Sequence, residues 1–182
     1  GVCPPNADCF APKYLRDGAR YNPMTDSWSR IAEVPQDVIG YPLTSLTNVA
    51  ALGDTIYVLA QKSFLSYNVA TDQWQRLPFP PGDLVLAFGV ADSSLVAVVT
   101  IDESPGRVAL ATFQPNQTSW VRQEVDAGLR GSTTSAAVVG DRLVFVSLAT
   151  RAGSPQDSLW VIDTLDPTTG VIGHPATQKL ET

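Results

Sequence analysis

Three aromatic pairs recur in this chain at one interval. The segments Tyr21-Asn22-Pro23-Met24-Thr25-Asp26-Ser27-Trp28, Tyr67-Asn68-Val69-Ala70-Thr71-Asp72-Gln73-Trp74 and Phe113-Gln114-Pro115-Asn116-Gln117-Thr118-Ser119-Trp120 set their tryptophans 46 residues apart twice over. A fixed period of that size belongs to chains that stack copies of one supersecondary unit. A weaker fourth copy runs from Val161 through Asp166-Pro167-Thr168-Thr169-Gly170, with no tryptophan after it. Asn, Pro, Thr and Asp between two aromatics are turn residues, with a fixed φ at proline and side chains that bond the backbone. A symmetric turn centred between Met24 and Thr25 makes Tyr21 face Trp28 across a two-stranded ladder. Such a cross-strand pair contributes roughly 0.2–1 kcal/mol over alanines. It also gives each unit a bulky face to pack on its neighbour.

A second element precedes each aromatic hairpin. Val49 to Ala60 is two strand-like runs about Gly53-Asp54, Ala136 to Ser147 repeats it about Gly140-Asp141, and Phe88 to Val99 is a looser copy about Asp92-Ser93. Gly-Asp between apolar, β-branched runs signals a hairpin. The runs are near-continuous rather than alternating, which predicts strands buried on both faces. No segment carries a sustained helical period. Each unit therefore reads as four short antiparallel strands, and four-stranded units at this period predict an all-β chain, a β-propeller of about three and a half to four blades.

The Tyr-turn-Trp hairpins resemble those of the kelch-repeat propellers, including the galactose-oxidase type. In that family a buried strand leads through a pair of small residues to the tyrosine. The corresponding stretches here, Leu59-Ala60, Val98-Val99 and Ser147-Leu148, lack the paired glycines. The units divide the chain into a partial blade over residues 1–34, blades over 45–78, 84–126 and 133–174, and a tail over 175–182. Two closures follow. The resemblance implies six or seven blades, so that the chain is about half a ring, completed by another chain, a second copy or further sequence. Four blades could also close, since four periods nearly match the 182 residues. An open array exposes the apolar faces of its end blades, a reason to associate.

Composition narrows function. Twelve Lys+Arg against eighteen Asp+Glu leave a formal charge of −6, the wrong sign for nucleic acid. The basic cluster Lys13, Arg16 and Arg20 is too small for a phosphate track. No run of ~18 apolar residues predicts a membrane span. Cys3 and Cys9 bracket a proline-containing loop and read as a small disulfide ring, which suits an oxidising compartment, or else as two free thiols. Asn116-Gln117-Thr118 matches the N-glycosylation pattern. A chain beginning at Gly1 without an apolar leader reads as already processed. Secreted or periplasmic is the expected location, with cytoplasmic as the alternative.

The single histidine, His174, cannot supply copper-radical chemistry, which needs two imidazoles, nor a zinc site of three or four ligands by itself. It reads as a solvated tail imidazole rather than a triad member. Gly131-Ser132-Thr133-Thr134-Ser135 lacks the closing glycine of a nucleophile elbow. Asp102 and Glu103 are sequence neighbours rather than a pair across a cleft. No catalytic residue, metal or cofactor is expected, and the balance leans away from an enzyme.

In an up-and-down blade the regular turns share one end, and the variable loops, at 32–45, 61–63, 78–83, 102–106, 126–135 and 150–157, share the other. Binding rides on variable loops held by a rigid scaffold. The chemically able side chains there are Tyr41, Lys62, Asp102, Glu103, Arg130, Arg151 and Asp157. The repeat aromatics Tyr21, Trp28, Tyr67, Trp74, Phe113 and Trp120 read as blade packing. Trp160, outside the register, is the candidate exposed aromatic. The functional expectation is a non-catalytic kelch-like scaffold that binds a protein or glycan through the variable-loop face. The alternatives are a fragment of a carbohydrate-active or oxidase propeller with its catalytic residues elsewhere, and a structural subunit of a larger assembly.

Overall fold

The structure, a computed structural model, describes residues 16–35, 48–60, 63–82, 84–101, 108–125, 132–151 and 154–179. Every regular element among them is a β-strand. Strands β1 (Gly18–Asn22) and β2 (Ser27–Ile31) form a two-stranded sheet. Strands β3 (Asn48–Leu52), β4 (Thr55–Ala60), β5 (Ser63–Asn68) and β6 (Gln73–Leu77) form an antiparallel meander. A second comprises β7 (Val85–Ala91), β8 (Ser94–Thr100), β9 (Val108–Phe113) and β10 (Val121–Val125). A third comprises β11 (Ser132–Val139), β12 (Arg142–Arg151), β13 (Ser154–Leu165) and β14 (Ile172–Lys179). The first strands of successive sheets lie side by side, β3 against β7 and β7 against β11. Sheets that meet along their first strands while packing face to face are the blades of a β-propeller. The described residues therefore form three whole blades preceded by β1–β2, which occupies the place of a blade's outer two strands.

The middle blade shows why near-continuous apolar runs were needed. In β8 and β9, Leu95, Ala97, Val99, Ala109, Ala111 and Phe113 face the preceding blade, where they meet Tyr57, Leu59 and Phe64. The alternate residues Val96, Val98, Val108 and Leu110 face the following blade, against Leu143, Phe145 and Leu165. Side chains alternate sides along a strand, so a strand covered on both faces can spend no position on solvent. All these residues are buried. Where β7 approaches β11 there is no room for a side chain: a Cβ on Gly89 would stand 2.5 Å from Val138 Cγ2.

The aromatic hairpins pair as the symmetric turn predicts. Tyr21 lies opposite Trp28 and Tyr67 opposite Trp74, with ring centroids 5.1 and 4.9 Å apart. Phe113 and Trp120 stand 5.3 Å apart. In the Tyr21 and Tyr67 turns the residue after the aromatic receives backbone N–H groups on its side chain, Met24 on Asn22 and Ala70 and Thr71 on Asn68, and in the last blade Asp166, after Leu165, receives Thr168 and Thr169. The last turn residue takes the left-handed conformation, at Asp26, Asp72 and Gly170. The fourth copy is thus Leu165 to Ile172, which pair in the ladder with leucine and isoleucine in place of the aromatics.

Three expectations are corrected. Of the expected 150–157 loop, residues 150–151 and 154–157 are strand, because β12 runs to Arg151, which pairs with Ser154 at the start of β13. The residues beyond 174 are not a plain tail, because β14 continues through Pro175 to Lys179 as the edge strand of its blade. Trp160 is half-buried within β13, and the exposed tryptophan is Trp28 at 71%. The Cys3–Cys9 ring lies outside the described residues.

Candidate functional site

Two sets of groups could carry function: the variable-loop end of the blades and the axial face where β3, β7 and β11 meet. Of the loop residues singled out above, Tyr41, Lys62, Asp102, Glu103 and Arg130 lie outside the described residues. Arg151 and Asp157 are placed on strands β12 and β13 of one blade. Asn116 is exposed in the turn between β9 and β10, at the opposite, regular end.

The axial face forms an open groove of about 380 Å³. Its walls are Asn48 to Ala51 of β3, Phe88 to Val90 of β7, and Ala136 to Val138 with Gly140 at the end of β11. It draws on the halves of β7 and β11 that run into the short turns, so it opens toward the regular end rather than the variable loops. Asn48 is the one polar side chain in a lining otherwise of small aliphatic residues, Phe88 and glycine. Val49 and Val139, on or beside this face, are each 59% exposed. Each of the three strands is the first of its sheet and has one neighbour within it among the described residues, which leaves an edge of backbone groups at the axis. Small side chains with backbone groups exposed between them suit an extended polypeptide, whose main chain can bond a strand edge.

A second arrangement sits at the blade junctions and binds backbone. Trp74 Nε1 donates to the Ala32 carbonyl at 2.8 Å, and the Ala32 N–H donates to Asp72 Oδ1 at 2.9 Å. The Tyr67 hydroxyl donates to the same oxygen at 2.6 Å. One residue after β2 is thereby held at both its backbone polar groups by the next blade. Asp72 is pulled below the usual aspartate range, first by the tyrosine bond and then by the Ala32 N–H. Tyr67 is raised above the usual phenol value, first by donating to Asp72 and then by burial. The junction recurs one blade on, where Trp120 Nε1 donates to the Pro78 carbonyl at 2.7 Å. Proline has no N–H, and there the tyrosine is Phe113 and the aspartate position is Thr118. Donor and acceptor are lost together.

His174 is not a tail imidazole in solvent. Its Nδ1 lies 2.8 Å from Oδ1 of Asp163, which is wholly buried, across the bulge in the β13–β14 pairing between Ile162 and Thr164. The bond ties the edge strand to the blade interior and supplies a partner for a carboxylate that burial would otherwise penalise. The sequence shows a histidine eleven residues after an aspartate, and only the register of a bulged hairpin makes them neighbours. A legible signal that was missed is the Trp-x-Arg of all three hairpins: Arg30, Arg76 and Arg122 follow their tryptophans at the same 46-residue period. Alternation puts Arg30 and Arg76 on the tryptophan side of their strands, and Arg122 pairs with Glu124 at 3.7 Å. Among the described residues no three His, Cys, Asp or Glu side chains gather as a metal site, and no helix is long and apolar enough to cross a membrane.

No protein-family model and no curated protein matches the chain. Among solved structures it is similar to the N-terminal domain of Nup159, at 9% identity and a TM-score of 0.48 over 92% of this chain and 44% of that one. It is also similar to a chain in an S. cerevisiae complex of a Dbp5 variant with Nup159, a Gle1 variant, IP6 and ADP. That match has 10% identity and a TM-score of 0.44, over 85% of this chain and 40% of the other. The chain thus spans less than half the length of either.

Proposed function

We propose that this protein is a non-catalytic scaffold of kelch-type propeller blades that binds an extended segment of a protein partner in the axial groove. The observation that carries this reading is a groove lined by small side chains along three adjacent strand edges at β3, β7 and β11, where backbone groups are exposed. Backbone groups at such edges supply main-chain hydrogen bonds, and the small residues Ala50, Ala51, Gly89, Ala136 and Ala137 keep the floor shallow enough for a second backbone to approach. Protein is favoured over glycan because the groove has one polar side chain, Asn48, and sugars need several to match their hydroxyls. The variable loops at the other end are a further contact surface of the same scaffold, in a secreted or periplasmic protein.

Selection from a random peptide display library tests this, with a glycan array run beside it. Peptides rich in β-branched residues that lose binding to Ala137→Glu and Val49→Lys are the expected result. Both positions are exposed, so the fold should survive the changes. Binding by glycans alone, or binding indifferent to both variants and abolished by combined substitution of Asp102, Glu103, Arg130 and Arg151, would overturn the groove assignment.

A further inference from the structure

The aspartates of the regular turns divide by what they do. On the outer turns, Asp26 accepts from the Tyr21 hydroxyl, Asp72 from Tyr67 and the Ala32 N–H, and Asp166 from the Thr168 and Thr169 N–H groups. Arg20 and Arg142 add favourable charge at Asp72 and Asp166. These carboxylates serve their own hairpins. The inner turns, between the first and second strands of each whole blade, carry Asp54, Asp92 and Asp141. All three are exposed, and among the described residues none forms an ion pair. Asp92 accepts from the Thr168 hydroxyl at 3.0 Å. Turn geometry does not ask for their charge. A two-residue hairpin needs the left-handed φ that Gly53 and Gly140 supply at 58° and 61°, and Asn or Ser serves the next position as Asp does. Asp92 is itself left-handed, a conformation asparagine tolerates equally.

These inner turns stand at the mouth of the axial groove. Its walls are the parts of β3, β7 and β11 that lead into them, reaching Val90 and Gly140. The three strands carry no charged residue. An uncharged trough therefore opens among three carboxylates, one at the end of each wall. Charges of one sign around the mouth of a cleft concentrate ligands of the other sign. We propose that the segment held in the groove is basic: a strand-forming stretch whose lysine or arginine side chains lie at the regular end, against Asp54, Asp92 and Asp141. This inference rests on the groove reading and adds the chemistry of the client. A strand ending in carboxylates fits between the same walls but is repelled at the mouth. Charges at a rim of this kind govern association rate and choice of partner more than the strength of the docked state.

Two peptide display libraries test the proposal, each random over a strand-length segment, one ending in lysine and arginine and the other in glutamate. Binders should come from the basic library. They should lose affinity for Ala137→Gln, which obstructs the groove without changing its charge. Asp54→Asn, Asp92→Asn and Asp141→Asn together should weaken them by about tenfold or more, mainly through slower association. Affinity for the wild-type protein should also fall between about 0.01 and 1 M salt, as the screening length drops from about 30 to 3 Å. That measurement needs no variant. Binders from the glutamate library that depend on Ala137 but ignore the triple substitution and salt would overturn the basic client and leave the groove standing. Basic peptides lost with the aspartates but indifferent to Ala137→Gln would show adhesion to charge alone and overturn the proposal. If neither library yields a peptide that depends on Ala137, the groove reading falls and its basic client with it.

Discussion

Gly89→Ala probes the contact on which the axial arrangement depends. The added Cβ would lie 2.5 Å from Val138 Cγ2 and 2.7 Å from its Cβ, where ordinary contact begins at 3.4 Å. Rotating the valine clears the first overlap but not the second, so β7 and β11 must separate by roughly 0.7 Å (3.4 less 2.7). Forcing extra atoms into a packed site costs about 1–3 kcal/mol. Alanine recovers about 0.5–1 kcal/mol because glycine is the poorer strand residue. With an overlap no rotamer can relieve, the upper part of the range applies, and the net loss is about 2 kcal/mol. Urea unfolding followed by tryptophan fluorescence should show that loss as a lower midpoint at unchanged slope. Val138→Gly removes the opposing Cβ, so the double variant should be less destabilised than the sum of the singles by about 1 kcal/mol or more. A Gly89→Ala protein within about 0.5 kcal/mol of wild type, the range of an ordinary surface change, would refute the close approach of β7 and β11. So would strict additivity of the pair.

Trp120→Phe keeps a ring against Phe64 and Phe113 but removes the 2.7 Å bond to the Pro78 carbonyl, and should cost about 1 kcal/mol in the same assay. Trp28→Phe, measured on the monomer, should cost nothing detectable. Ser93→Gly should raise the melting temperature slightly: Asp92 and Ser93 both sit at positive φ, and relief of about 1 kcal/mol at Ser93 exceeds the added unfolded-state entropy of glycine. Acid should loosen the first blade junction. Asp72 and Asp166 are held below the ordinary aspartate value of 3.8, so their contribution is complete above that value and is lost as pH falls through the depressed folded values. Denaturant midpoints taken across that range should fall with pH in the wild type and fall less steeply in Asp72→Asn.

The repeat, the turn chemistry and the pairing of Tyr21 with Trp28 and Tyr67 with Trp74 were all legible, because each is set within one hairpin by residues a few positions apart. The two-sided burial of β8 and β9 was legible for a related reason, since a strand with no polar alternation has no face for water. Strand lengths at the C-terminal blade were not. Arg151 and Asp157 look like loop residues by composition, yet pairing across a bulge carries β12 and β13 through them. His174 looks solvated because nothing near it in sequence explains it, and its partner Asp163 is brought to it only by the β13–β14 register.

Local sequence determined that this chain forms antiparallel hairpins at a 46-residue period, since turn φ angles and side-chain alternation are properties of neighbouring residues. Tertiary structure decided what those hairpins hold. Trp74 and Trp120 each bond a carbonyl 42 residues earlier, while an identical Trp28 stands in solvent because no blade precedes it among the described residues. Whether an aromatic pair is core or surface depends on a neighbour supplied from elsewhere in the fold, and no local pattern encodes that neighbour's presence.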